Sequence, residues 1–96
     1  MTVLNDNTAL HRFEWDEQGH TAFASYRLAD AQLVIPHVEA PVALRGTGAA
    51  GRLMEAIAAH AKERQLKVVP LCGYAAAWFR RHPEFADLLA RSSITP

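Results

Sequence analysis

Arg45-Gly46-Thr47-Gly48-Ala49-Ala50-Gly51-Arg52 is the stretch of this 96-residue chain whose residue types and spacing point most directly to chemistry. It joins a β-like run, Ala31 to Val38, to a strongly helical run, Ala49 to Arg64. A glycine-rich turn that opens a helix leaves backbone N–H groups without partners, and the helix dipole adds partial positive charge. That combination binds phosphate. Glycine serves where an anion approaches the backbone closely or where the turn needs positive φ. The plain alternative is a tight strand–helix connection with glycines for close packing.

The residues argue against two phosphate motifs. Gly46 and Gly51 have the G-x-x-x-x-G spacing of a triphosphate loop, which continues with Lys and then Ser or Thr. Here Arg52 and Leu53 follow, with no hydroxyl for a metal. Gly46, Gly48 and Gly51 also match G-x-G-x-x-G. In the dinucleotide fold a strand runs straight into the first glycine, and an acidic residue ends the next strand about 20 residues on. Here the segment from Glu39 to Arg45 intervenes, and the following run, Leu66 to Leu71, leads to Cys72 with no carboxylate.

Cys72 stands where that run meets a helix start, a position that favours a thiolate. A lone cysteine is also a common inert core residue. His37 and Glu39 are two apart on a strand and so share a face. They form either a base and its orienter or a surface pair at a strand end. Tyr74, Trp78 and Phe79 read as core or site residues. Arg80-Arg81-His82 reads as a solvated face or an anion contact. The five histidines are scattered and lack a dense metal-ligand motif such as H-E-x-x-H, so no metal site is expected.

The elements that position these residues follow from periodicity. Leu10 to Trp15 alternates, Asp16-Glu17-Gln18-Gly19 turns, and His20 to Leu28 alternates again. Ala29-Asp30 is a second turn, and Ala31 to Val38 is a third strand, which completes an antiparallel meander. Pro36 offers no N–H and predicts an edge, a bulge or an opening in the sheet. Ala50, Leu53, Met54, Ile57, Ala58 and Ala61 make one apolar stripe of a helix from Ala49 to Arg64. Leu66 to Leu71 reads as a short buried strand, Ala75 to His82 as a helix stopped by Pro83, and Phe85, Leu88 and Leu89 as the apolar face of a last helix. The fold class is α+β, in the order β-β-β-α-β-α-α.

The length predicts a single domain over residues 1–96 with one modest core. Ten basic and ten acidic side chains balance, so no basic footprint points to nucleic acid. A net charge near zero gives little colloidal protection and is compatible with a homodimer. The single cysteine excludes an internal disulfide. Residues 1–7 lack the basic and apolar regions of a signal peptide, and no run approaches the ~18 apolar residues of a membrane helix. These features predict a cytoplasmic protein. The first several residues and Ser92 to Pro96 read as frayed ends.

Arg45-x-x-Gly48-x-Ala50 resembles the pyrophosphate loop of the GNAT-type N-acetyltransferases, R/Q-x-x-G-x-G/A. The surroundings extend the likeness: His37-Val38-Glu39-Ala40-Pro41 before the loop, Lys67-Val68-Val69-Pro70-Leu71-Cys72 after the helix, then Arg80-Arg81-His82-Pro83-Glu84-Phe85. From about His37 to Leu89 the chain is similar to the very small, single-domain GNAT-like proteins. It departs from them at Ala40, where Val is usual, and Pro36 is unexpected. The resemblance implies a mixed, mostly antiparallel sheet whose central strand bulges and splays from the next, with coenzyme A entering the gap. It implies acetyl-CoA as co-substrate and an amine acceptor, either a small molecule or a protein. Coenzyme contacts fall on Val38, Ala40, Arg45, Gly46, Thr47, Gly48, Ala49, Ala50, Arg52, Cys72, Tyr74, Phe79 and Arg80. Catalytic roles fall on Cys72, His37, Glu39 and Tyr74, with direct transfer favoured over an acetyl-cysteine. Larger GNAT enzymes insert helices between their first two strands. Gly19 leaves no room for them, so the acceptor site is open or completed by a second subunit. An acyl-CoA sensor without turnover and a purely structural domain are the other readings.

Overall fold

The computed structural model describes residues 3–90. Strands β1 (Asn5–Asn7), β2 (Arg12–Glu17), β3 (His20–Ala29), β4 (Gln32–Glu39) and β5 (Lys67–Pro70) form one sheet in chain order. The first three pairings are antiparallel and β4–β5 is parallel. Helix α1 (Ala49–Glu63) is the crossover between the parallel strands, and α2 (Gly73–Arg81) follows β5. Short 3₁₀ turns occupy Thr8–Leu10, Val42–Leu44 and Pro83–Leu88. The fold is α+β with a mostly antiparallel sheet, as the periodicity predicts.

The differences lie at the edges. Asn5–Asn7 is a strand rather than a frayed end. Asn residues have low strand propensity, so side chains hold it instead. The amides of Asn5 and Asn7 each donate to Glu14, both at 3.0 Å. Asn7 Oδ1 accepts the Leu10 N–H at 3.2 Å, which closes a 3₁₀ turn and delays β2 to Arg12. The last helix is not α-helical. Pro83–Leu88 is a 3₁₀ segment, because Leu89 turns extended and runs beside the free edge of β5. There the Ala90 N–H donates to the Val68 carbonyl. Ser92 to Pro96 lies outside the described residues.

The alternating strands bury one face. Phe13, Ala22, Ala24, Leu33 and Ile35 pack against Leu53, Met54, Ile57, Ala58 and Ala61 of α1. Phe13 stacks on Tyr26 with ring centroids 4.4 Å apart. Between the pairs Ser25–His37 and Arg27–Val34, Tyr26 alone opposes both Ile35 and Pro36. The extra residue is a β-bulge on β4, and the residue without an N–H sits in it.

His60 lies half-buried at the far end of α1, with Phe13 edge-on at 5.1 Å. Burial first, and then the Arg64 charge, lower its pKa. Its unfolded form therefore binds the proton more readily than the folded one. We expect this contribution to stability to be complete above about pH 6.5. It should be lost as pH falls from there through the lowered folded value. Thermal midpoints measured from pH 8 to 5 should decline less for His60→Gln than for wild type. In the core, Ile57→Ala should cost about 2–5 kcal/mol in chemical denaturation.

Candidate active site

The β4–β5 ladder stops at Ile35–Pro70. The Ile35 carbonyl then accepts two amides, Leu71 at 2.9 Å and Cys72 at 3.3 Å. Beyond it β4 continues from Pro36 to Glu39 paired only with β3. Among the described residues nothing pairs with that stretch from the β5 side, so a gap opens. Parallel strands joined by a helix bring their carboxyl ends and the following helix N-termini to one end of the sheet. Both α1 and α2 therefore begin beside the gap.

The turn before α1 is built around buried Leu44. Gly46 and Gly48 adopt φ of 80° and 88°, the left-handed region that disfavours side chains. Thr47 is committed internally. Its hydroxyl donates to the Leu44 carbonyl at 2.6 Å and accepts the Ala49 N–H at 3.2 Å. Gly48 is the N-cap and has no side chain to cover the helix start. The N–H groups of Gly46, Gly48, Ala50 and Gly51 thus have no acceptor among the described residues. No acidic residue lies in the first turn. The result is a cluster of outward donors at the positive end of a 15-residue helix.

Arg45 donates through Nε to the Ala40 carbonyl at 3.2 Å, which ties the loop to the end of β4. Its terminal nitrogens have no partner among the described residues. Arg52 is engaged differently. Its Nε and Nη2 meet Glu17 at 2.6 and 2.8 Å, and Nη2 also donates to the Thr47 carbonyl at 3.0 Å. Hydrogen bonds from Arg52, and then from Trp15, hold the Glu17 carboxyl down at about 2.

His37 and Glu39 share a face, with His37 Nε2 2.9 Å from Glu39 Oε1. Both are exposed, at 56% and 53%. A carboxylate only accepts, so Nε2 is the donor in this contact, and in the tautomer with its proton on Nε2 the ring's acceptor is Nδ1. The pair lies opposite Phe23 and Ser25, on the sheet face away from α1. Cys72 is half-buried and is the N-cap of α2. Tyr74 and Trp78 lean over the first turn of α1: a Cβ on Gly51 would lie 3.8 Å from the Tyr74 hydroxyl and 3.9 Å from Trp78 Nε1. Val38 and Ala40 are half-buried on the open stretch.

Two of the expected coenzyme contacts stand apart. Phe79 is a core residue, edge-on to Trp78 at 5.2 Å. Arg80 lines a cavity of about 430 Å³ whose other walls include Pro70, Phe79 and Pro83 but no residue of the loop. Residues that local sequence reasoning misses are Glu17, Trp15 and Gly51. Glu17 reads only as part of a hairpin turn, because its partner lies 35 residues away.

A sequence profile described as GCN5-related N-acetyl-transferase matches residues 12–88. The chain belongs to that family. Members of this acetyltransferase family transfer acyl groups, and the match spans strands β2 to β5, the loop and both helices. The NMR solution structure of a GCN5-like protein from Staphylococcus aureus has the same fold. It aligns with a TM-score of 0.63 and 24% identity, over 88% of this chain and 85% of that one. No curated protein matches. Among the described residues, no helix is long and apolar enough to cross a membrane, and no cluster of three or more His, Cys, Asp or Glu side chains could hold a metal.

The two left-handed glycines of the loop predict different substitution costs. Gly46→Ala meets open space and bears only the cost of positive φ, about 1–2 kcal/mol. Gly48→Ala adds a close approach, since its Cβ would lie 3.0 Å from Arg52 Nη1. In urea denaturation Gly48→Ala should be the more destabilising of the two.

Proposed function

We propose that this protein transfers an acetyl group from acetyl-CoA to an amine, with the coenzyme seated in the β4–β5 gap. The observation that carries this reading is the set of unpartnered amides at Gly46, Gly48, Ala50 and Gly51, beside a strand stretch with one open edge. The donors suit a pyrophosphate. Arg45 supplies charge through its free terminal nitrogens. Thr47 and Ala49 shape the loop, and the open edge at Val38 and Ala40 suits an extended amide-bearing chain.

The thioester carbonyl needs a donor aimed at its developing charge, and the exposed backbone of β4 offers one. His37 accepts the proton of the attacking amine at Nδ1 while Glu39 holds the ring. The nitrogen–carbonyl bond forms, the carbon–sulfur bond breaks, and Tyr74 returns a proton to the departing thiolate. Cys72 lines the acetyl end of the gap without bonding to the acetyl group. No helix separates β2 from β3, so the acceptor approaches across the open sheet face or against a second copy of the chain. A cytoplasmic setting, where acetyl-CoA is made and used, fits this reading.

Saturating acetyl-CoA at 100-fold over Kd should raise stability by about 2.7 kcal/mol, read as a thermal shift. Gly48→Glu should abolish that shift by bulk and like charge, and an equal shift in both proteins would place the ligand elsewhere. Cys72→Ala should keep most coenzyme binding and lose only part of the transfer rate. Intact mass should show no stoichiometric acetyl adduct on Cys72. An adduct that then moves to an amine would replace direct transfer with a covalent route.

A further inference from the structure

Arginine has five N–H donors in a rigid fork. In Arg52 three have acceptors: Nε and one Nη2 hydrogen face the Glu17 carboxylate, and the other Nη2 hydrogen faces the Thr47 carbonyl. Nη1 has no partner among the described residues, and it lies against Gly48, 3.0 Å from where a Cβ would be. The guanidinium is therefore gripped along one edge while the opposite nitrogen is presented at the loop. Glu17 supplies the grip. It sits at the end of β2, and the Trp15 indole N–H donates to its Oε2 at 2.8 Å, the same oxygen that accepts from Arg52 Nε. A long side chain normally loses much of its rotamer freedom to make one contact. Here that ordering is already done in the free protein.

We propose that Glu17 is a positioning residue for the coenzyme: it clamps Arg52 so that Nη1 donates to a pyrophosphate oxygen at Gly48. The inference rests on the acetyl-CoA reading above and adds a residue of the β2–β3 hairpin to it. The hairpin thereby governs a loop on the far side of the sequence. The carboxylate also serves the loop itself, because Arg52 carries the Thr47 carbonyl and so fixes the turn from below.

The test is calorimetric titration of coenzyme A into wild type, Glu17→Gln, Glu17→Asp, Arg52→Met and the Glu17→Gln/Arg52→Met double variant, each well below its unfolding midpoint. Glu17→Gln should weaken binding about tenfold, the size of one lost charge-assisted hydrogen bond. Arg52→Met should weaken it at least as much. The double variant should match Arg52→Met, because Glu17 acts only through Arg52. Glu17→Gln keeps the side-chain volume and Glu17→Asp keeps the charge. A clamp predicts that Asp retains more affinity than Gln, whereas a packing role predicts the reverse. Unchanged affinity in Glu17→Gln, additive losses in the double variant, or Gln outperforming Asp would overturn the clamp and leave the coenzyme reading intact. A wild-type protein that takes up no coenzyme A would overturn both.

Discussion

The Ile35 carbonyl accepts two amides just past the end of β5, those of Leu71 and Cys72, and the β4–β5 ladder ends there. Everything at the candidate site follows from that interruption. Before it, β4 and β5 are neighbours in an ordinary parallel pair. After it, β4 keeps β3 and loses β5, and its free edge faces the two helix starts. A continuous β5 would have filled the same edge with its own backbone and left no room for a ligand. The bulge at Ile35–Pro36 has a second consequence. Strand alternation sends Leu33 and Ile35 toward α1, and an unbroken strand would send His37 there too. The extra residue reverses the phase, so His37 and Glu39 emerge on the opposite face beside Ser25 and Phe23.

The loop forgoes local stability for access. A Ser, Asp or Asn at the N-cap would place a side-chain oxygen over the amides of α1 and typically contribute about 1 kcal/mol. Gly48 contributes no such oxygen. Thr47 takes over part of the task from one residue earlier, covering the Ala49 amide alone. The other first-turn amides stay open under the helix dipole. Rigidity comes instead from outside the loop: from buried Leu44, from Arg45 on the Ala40 carbonyl, and from Arg52 held by Glu17. The turn is thus held firmly while its donors stay unoccupied, which is the condition for binding an anion with little reorganisation.

Much of this was legible locally. The glycine spacing, the α1 stripe and the two meander hairpins need only residue types and short periods, and they matched the structure to within a residue or two. Pro36 signalled a bulge or an opening from its chemistry alone. The β1 strand was not legible, because Asn5 and Asn7 are held by Glu14 rather than by their own propensity. The last segment was misread as α-helix, because its apolar positions suit either helix type and the ending is imposed by pairing with β5. Phe79 could not be sorted into core or site, because an aromatic residue at helical spacing looks the same in both.

By itself the sequence determined most of the elements, the glycine-rich turn and the family likeness. These depend on local sterics, on periodicity and on motifs a few residues long. Only the tertiary structure decided which side chains meet. It gave Arg52 to Glu17, placed Tyr74 and Trp78 over Gly51, buried Phe79, and sent His37 and Glu39 to the face away from α1. Each of those outcomes joins residues far apart in the chain or turns on strand register. A carboxylate in a hairpin and a guanidinium on a helix carry no mark of one another until the sheet and α1 bring them within hydrogen-bond reach.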